Sequence, residues 1–157
     1  MRALWFWLHI AGTIGFVAVH AEQAMAMFRI RGAGTNRAAI EVLTERSKAK
    51  TGLSYLSLGV IVVSGTAAGI HGSEFGATWI WAAIIVLLIT VGLMSVTATP
   101  WMKSLRHGCT RWADGSYTMD DAELARTLAG PVPFIVAGIG TAGLLVILLL
   151  MFLKPGA

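Results

Sequence analysis

Four stretches of this chain are apolar and long enough to cross a bilayer, and no other feature narrows its possible folds as much. A spanning segment finds no water for its backbone N–H and C=O groups, so it must satisfy them internally, and a run of about 20 apolar residues does so as an α-helix. The stretches cover roughly residues 3–28, 52–70, 79–99 and 132–153. They predict an all-α membrane protein, a four-transmembrane-helix bundle forming one domain over 1–157. Composition agrees: 56% of residues are hydrophobic, only 13% are charged, and mean hydropathy is +0.73. Soluble domains are less apolar and more charged.

Charge sets the expected orientation. Six basic residues separate the first two stretches (Arg29, Arg31, Arg37, Arg46, Lys48 and Lys50) and four separate the last two (Lys103, Arg106, Arg111 and Arg126). The opposite side has only Arg2 and Lys154. Loops rich in Lys and Arg stay on the cytoplasmic side, so both termini and the short 71–78 turn are expected outside, with two cytoplasmic connecting segments. Trp5, Trp7, Trp79 and Trp81 then mark the outer interface and Trp101 the inner one. A bacterial inner membrane suits this pattern, and the lipid bilayer is the first expected partner. The net charge of +4 and pI near 9.7 are accounted for by these loops. No basic-aromatic module accompanies them, so nucleic acid is not an expected partner.

The first stretch imitates a signal peptide, with Arg2, an apolar run and Ala24-Met25-Ala26. It is long for a signal core, however, and Arg29 and Arg31 follow at once, so it is read as a retained span. Gly32 and Gly34 should end it, and Thr35 or Asn36 should cap a short inner-surface helix through AAIEVLTERSK. In the second stretch Gly65 and Gly69 form a GxxxG, read as close helix packing or a homodimer seam. His71 to Gly76 reads as a tight outer turn. The third stretch has no ionisable residue and is expected to end at Pro100. Thr118 and Asp121 have capping-box spacing, so a short helix is expected over 119–129. His107 and the single cysteine, Cys109, match no defined metal motif. Pro131 and Pro133 lead into the last stretch, where Gly138, Gly140 and Gly143 allow close contacts.

Candidate chemistry concentrates in the first stretch. At 100° per residue, His9, Thr13, Phe16, His20, Gln23 and Met27 form one stripe. The two histidines are separated by about 16 Å of helix and about 20° of rotation. Polar side chains within a bilayer usually face the bundle interior and mark a site. Counted from inner boundaries at Phe28 and Gly52, His9 and His71 reach the same depth. They are therefore the first-choice axial pair for a b-type haem in membrane redox or electron transfer, with His20 a second cofactor candidate and a quinone or membrane redox protein as partner. Copper is the alternative cofactor, because Cu(I) favours imidazole and thioether; its metal set would draw on His9, His71, His20 and Met27, with Met25 and Met94 able to approach His20. A third reading needs no cofactor: His20, Gln23 and Glu22 link helices within a non-enzymatic membrane scaffold or complex subunit. Glu22 either pairs with a loop cation or relays protons.

The segments LHIAGTIGFVAVHAEQAMAMFRIRG, RAAIEVLTERSK and VSGTAAGIHGSEFGATWIW resemble a family of small, four-span predicted integral membrane proteins of unknown function. More distantly the chain is similar to the membrane domain of CopD-type copper-resistance proteins and to HemJ-like protoporphyrinogen oxidases. The resemblance implies a helical membrane bundle with a copper or haem connection. It matches an early membrane histidine to His9 and an SG element to Ser64 and Gly65.

Overall fold

A computed structural model describes residues 2–72 and 74–155; Ser73, in the expected outer turn, lies outside the described residues. Helix α1 spans Arg2–Gly32, α2 Arg37–Gly72, α3 Thr78–Gly108, α4 Asp121–Ala129 and α5 Val132–Leu153. A single 3-10 turn at Glu74–Gly76 joins α2 to α3. Four helices are long and apolar enough to cross a membrane, the last of these segments including α4 and α5. No strand occurs among the described residues, only an isolated bridge between Arg111 and Tyr117. The chain thus has the architecture of an integral membrane protein.

Several helices run past their expected ends. The inner-surface helix and the second span are one continuous 36-residue helix, α2, about 54 Å long. Gly52 inside it costs only about 1 kcal/mol, while Ile40, Thr44 and Ser47 are buried and reward continuation. Helix α3 likewise continues through Pro100. Proline removes one backbone hydrogen bond, but the turns beyond it bury Trp101 and Leu105. The expected cap does fall at Asn36, whose Oδ1 accepts from Ala39 N at 3.1 Å. Helix α4 is capped by Asp120 rather than Thr118: Asp120 Oδ1 accepts from Glu123 N at 2.7 Å. Thr118 instead accepts from Trp112 Nε1 at 3.1 Å and closes a small hairpin, Thr118 N to Thr110 O, around Gly115 with φ of +86°.

Packing differs between the two ends of the molecule. Met27, Ile30, Ile40, Trp101, Leu105, Cys109, Leu124, Leu128 and Val136 form one buried cluster, drawn from all five helices near the basic connectors. In the spanning parts, large apolar side chains such as Leu88, Val96 and Val63 stay exposed. Lipid tails solvate those side chains as well as protein does, so helices there associate through small residues instead. Within the membrane α1 lies against α2, and α3 against α5. The two pairs join at the end that carries the buried cluster, where Phe28 meets Phe134 edge-on at 5.1 Å and Arg31 donates to Ala129 O at 3.0 Å. Arg37 donates to Gly108 O at 3.0 Å, pairs with Asp121 at 2.6 Å and covers the Tyr117 ring.

Candidate functional site

The α1 stripe faces protein, and its contacts set the register of the first hairpin. A Cβ on Gly12 would stand 3.0 Å from Val60 Cγ1, and one on Gly15 would stand 3.4 Å from Ser57 Oγ. These two glycines bring the helices close enough for polar side chains to cross between them. Ser54 Oγ donates to Gln23 Oε1 at 3.2 Å, and Lys50 forms an ion pair with Glu22. Glu22 therefore has the basic partner that its sequence position suggested.

His9 is seated on α2. Its Nδ1 lies 3.0 Å from Ile61 O. A carbonyl only accepts, so Nδ1 carries the proton and Nε2 keeps its lone pair. The ring rests on Gly65, where a Cβ would stand 2.9 Å from Cε1. The other GxxxG glycine, Gly69, is covered by Phe75, whose Cε2 would be 2.8 Å from an added Cβ. Both glycines are thus used inside the chain.

His71 is exposed at the C-terminal end of α2 and donates from Nδ1 to its own helix, Ala67 O, at 2.8 Å. It lies six residues beyond Gly65, about 9 Å farther along α2 and turned about 240° from it. The structure therefore does not bring His9 and His71 to one level or one face. Counting from Phe28 and Gly52 assumed that these residues oppose each other, whereas α1 and α2 pair Glu22 with Lys50 and Gln23 with Ser54.

His20 points to the other pair of helices. Phe16 stacks on it, centroids 6.1 Å apart and planes 11° apart. A Cβ on Gly140 of α5 would stand 2.6 Å from His20 Nε2 and 3.4 Å from Met94 Sδ of α3. Of the thioethers considered with His20, Met94 is brought to it, Met27 is buried in the cluster against which Met94 packs, and Met25 is exposed. His107 is exposed and Cys109 buried. Burial pushes the Cys109 thiol up from its ordinary value, against the opposing pull of the Arg37 cation. It lines a cleft of about 240 Å³ with Glu41, Thr44, Glu45, Arg106 and Thr110. Among the described residues no group of three or more His, Cys, Asp and Glu could hold a metal ion.

Sequence reasoning missed the two backbone elements that seat the histidines, the Ile61 carbonyl and the Gly140 notch. Gly140 was visible as a small residue in the last span, but its pairing with His20 depends on how the hairpins meet. The fold and this stripe define a helical integral membrane protein with an interior polar seam. No family model, no curated protein and no solved structure matches the chain.

Proposed function

We propose that the chain is a non-enzymatic membrane subunit, resident in a bacterial inner membrane with both termini outside, whose interior polar groups hold its own helices in register. The observation that carries this reading is the seating of His9 on Gly65 with its Nδ1–H on the Ile61 carbonyl. Gln23 of the stripe with Ser54, and Glu22 beside the stripe with Lys50, also tie α1 to α2. Polar contacts of this kind between helices contribute about 0.6 to 2 kcal/mol each in membranes. On this reading His9→Ala lowers the unfolding midpoint of the detergent-purified protein and leaves its visible absorption spectrum unchanged. A reducible Soret band lost in His9→Ala would overturn it.

A second reading, b-type haem binding in membrane redox chemistry, is favoured by one feature. His9 and His71 both give Nδ1–H to a backbone carbonyl, and among the described residues neither Nε2 has a hydrogen-bond partner, the arrangement found in metal-bound imidazoles. As placed, the two rings serve different faces of α2, so a haem on His9 would need its other axial ligand from elsewhere, such as a second copy of the chain. The same spectrum decides between the readings.

A further inference from the structure

Opposite charges that share a small cleft normally pair. In the cleft of about 240 Å³ between α2 and the end of α3 they do not. Glu41, Thr44 and Glu45 form one wall and Arg106, Cys109 and Thr110 the other, yet among the described residues no ion pair joins Arg106 to either carboxylate. Arg106 directs Nε to Met102 O of its own helix at 3.4 Å, and its terminal nitrogens have no partner among the described residues. Glu45 turns to Lys48, 3.9 Å away. The Glu41 carboxylate has no partner among the described residues, and behind it Thr44 is fully buried with its hydroxyl on Glu41 O at 3.0 Å. A cation and an anion held apart across open space complement a ligand that carries both charges.

The position of the cleft narrows the choice of ligand. Glu45 lies seven residues beyond Gly52 and Arg106 seven beyond Thr99, where the apolar stretches 52–70 and 79–99 end. Seven residues are about 10 Å of helix, and the polar layer of one bilayer leaflet is about 5–8 Å thick. The cleft therefore opens where lipid headgroups meet water. Apolar stripes lead from it into the membrane: Leu56 and Val63 share a face of α2 with Glu45, and Leu88 shares a face of α3 with Arg106. These three side chains are 62–66% exposed.

Headgroup chemistry narrows it further. Arg106 and Lys48 mark the side of the cleft nearer the membrane, where a lipid phosphate lies, and Glu41 is one turn of α2 farther out, where an ammonium follows. A primary ammonium donates hydrogen bonds to a carboxylate. A trimethylammonium donates none and is held by aromatic faces, and no aromatic residue lines this cleft. A headgroup with net negative charge would meet Glu41 and Glu45 without a cation to offset them.

We propose that this cleft binds the phosphoethanolamine headgroup of a membrane lipid, with the phosphate on Arg106 and Lys48, the ammonium on Glu41, and the acyl chains along the exposed stripes of α2 and α3. The site rests on neither reading of His9.

The test is native mass spectrometry of the delipidated full-length protein in detergent, titrated with dioctanoyl phosphatidylethanolamine, phosphatidylcholine or phosphatidylglycerol. Wild type should take up one phosphatidylethanolamine about tenfold more tightly than either other lipid, the equivalent of one charge-assisted hydrogen bond. Glu41→Gln should erase the preference over phosphatidylcholine, whereas Arg106→Gln should weaken both lipids alike, because both carry the phosphate. Neither side chain bonds to another helix among the described residues, so both variants should keep the wild-type unfolding midpoint. Phosphatidylethanolamine, unlike phosphatidylcholine, should also slow alkylation of Cys109 in the wild-type chain, a readout that needs no variant. Equal binding of the three lipids, tightest binding of phosphatidylglycerol, or a preference that survives Glu41→Gln would overturn the proposal. So would soluble glycerophosphoethanolamine binding as tightly as the lipid, which would make the ligand a free zwitterion.

Discussion

Individual glycines in this protein have opposite roles depending on what faces them. A methyl group at Gly65 would press on the His9 ring at 2.9 Å. Gly65→Ala should therefore displace the imidazole, weaken its bond to Ile61 and destabilise the bundle by about 1–3 kcal/mol. At Gly59, by contrast, nothing lies within 4 Å. Gly59→Ala should raise stability by about 0.4–1 kcal/mol through the unfolded chain. Reversible unfolding in an SDS titration measures both, and equal shifts in the two variants would contradict the seating of His9. Cys109 gives a second residue-level prediction. Its folded thiol titrates above the ordinary value of 9.0, so the unfolded chain gives up that proton first as pH rises. The contribution to stability is complete below the unfolded value and is lost as pH climbs through the folded one. Stability should decline above about pH 9, less steeply in Cys109→Ala, and alkylation of native Cys109 near pH 8 should be slow compared with the denatured chain. Parallel pH profiles of the two proteins would refute this.

At the scale of elements, the packed head around the buried cluster depends on Arg37 at the start of α2. It joins the end of α3 through Gly108 O and the start of α4 through Asp121. The Arg37 side chain is 10% exposed and the Asp121 side chain 74%. Asp121→Ala should then cost under about 1 kcal/mol, while Arg37→Ala, which also strips a partner from Gly108 O, should cost about 1.5–3 kcal/mol. Hydrogen exchange on α4 would follow the same order, and equal protection in both variants would contradict it. This head also shows where sequence reading stops. The last span was legible to the residue, 132–153, because prolines mark its start and Lys154 its end. The stop expected at Pro100 was not, because the reward for continuing is tertiary: Trp101 and Leu105 find their places only once α4 and α5 are in position. The Asp114-Gly115 pair carried a turn signal that could have revealed the hairpin at 110–118. In the candidate site, the stripe on α1 was readable from a 3.6-residue period, and so was the approach of Met94 to His20 as one option. The depth match of His9 with His71 failed because hairpin register is set by contacts such as Gly12 on Val60, which no single helix encodes.

The molecule as a whole has four membrane-length helices and a packed head at one end. All but two of its Lys and Arg residues lie toward that end, most of them on the helix turns that lead into it. On the positive-inside rule the head is expected to face the cytoplasm. Alkaline phosphatase fused after Ala157 should be active in a bacterial host, and a fusion at Ala113 should be inactive. The reverse pattern would invert the orientation and place the buried Cys109 outside.

Each membrane helix finds its main companion in the next membrane helix along the chain, α1 with α2 and α3 with α5. Pairing of this kind suits manufacture from one end. The leading hairpin can close while its successor is still on the ribosome, and the Glu22–Lys50 contact can latch before Met94 or Gly140 has been synthesised. Docking of the second hairpin is then the late step of biogenesis, and it is the step that creates the His20 seam.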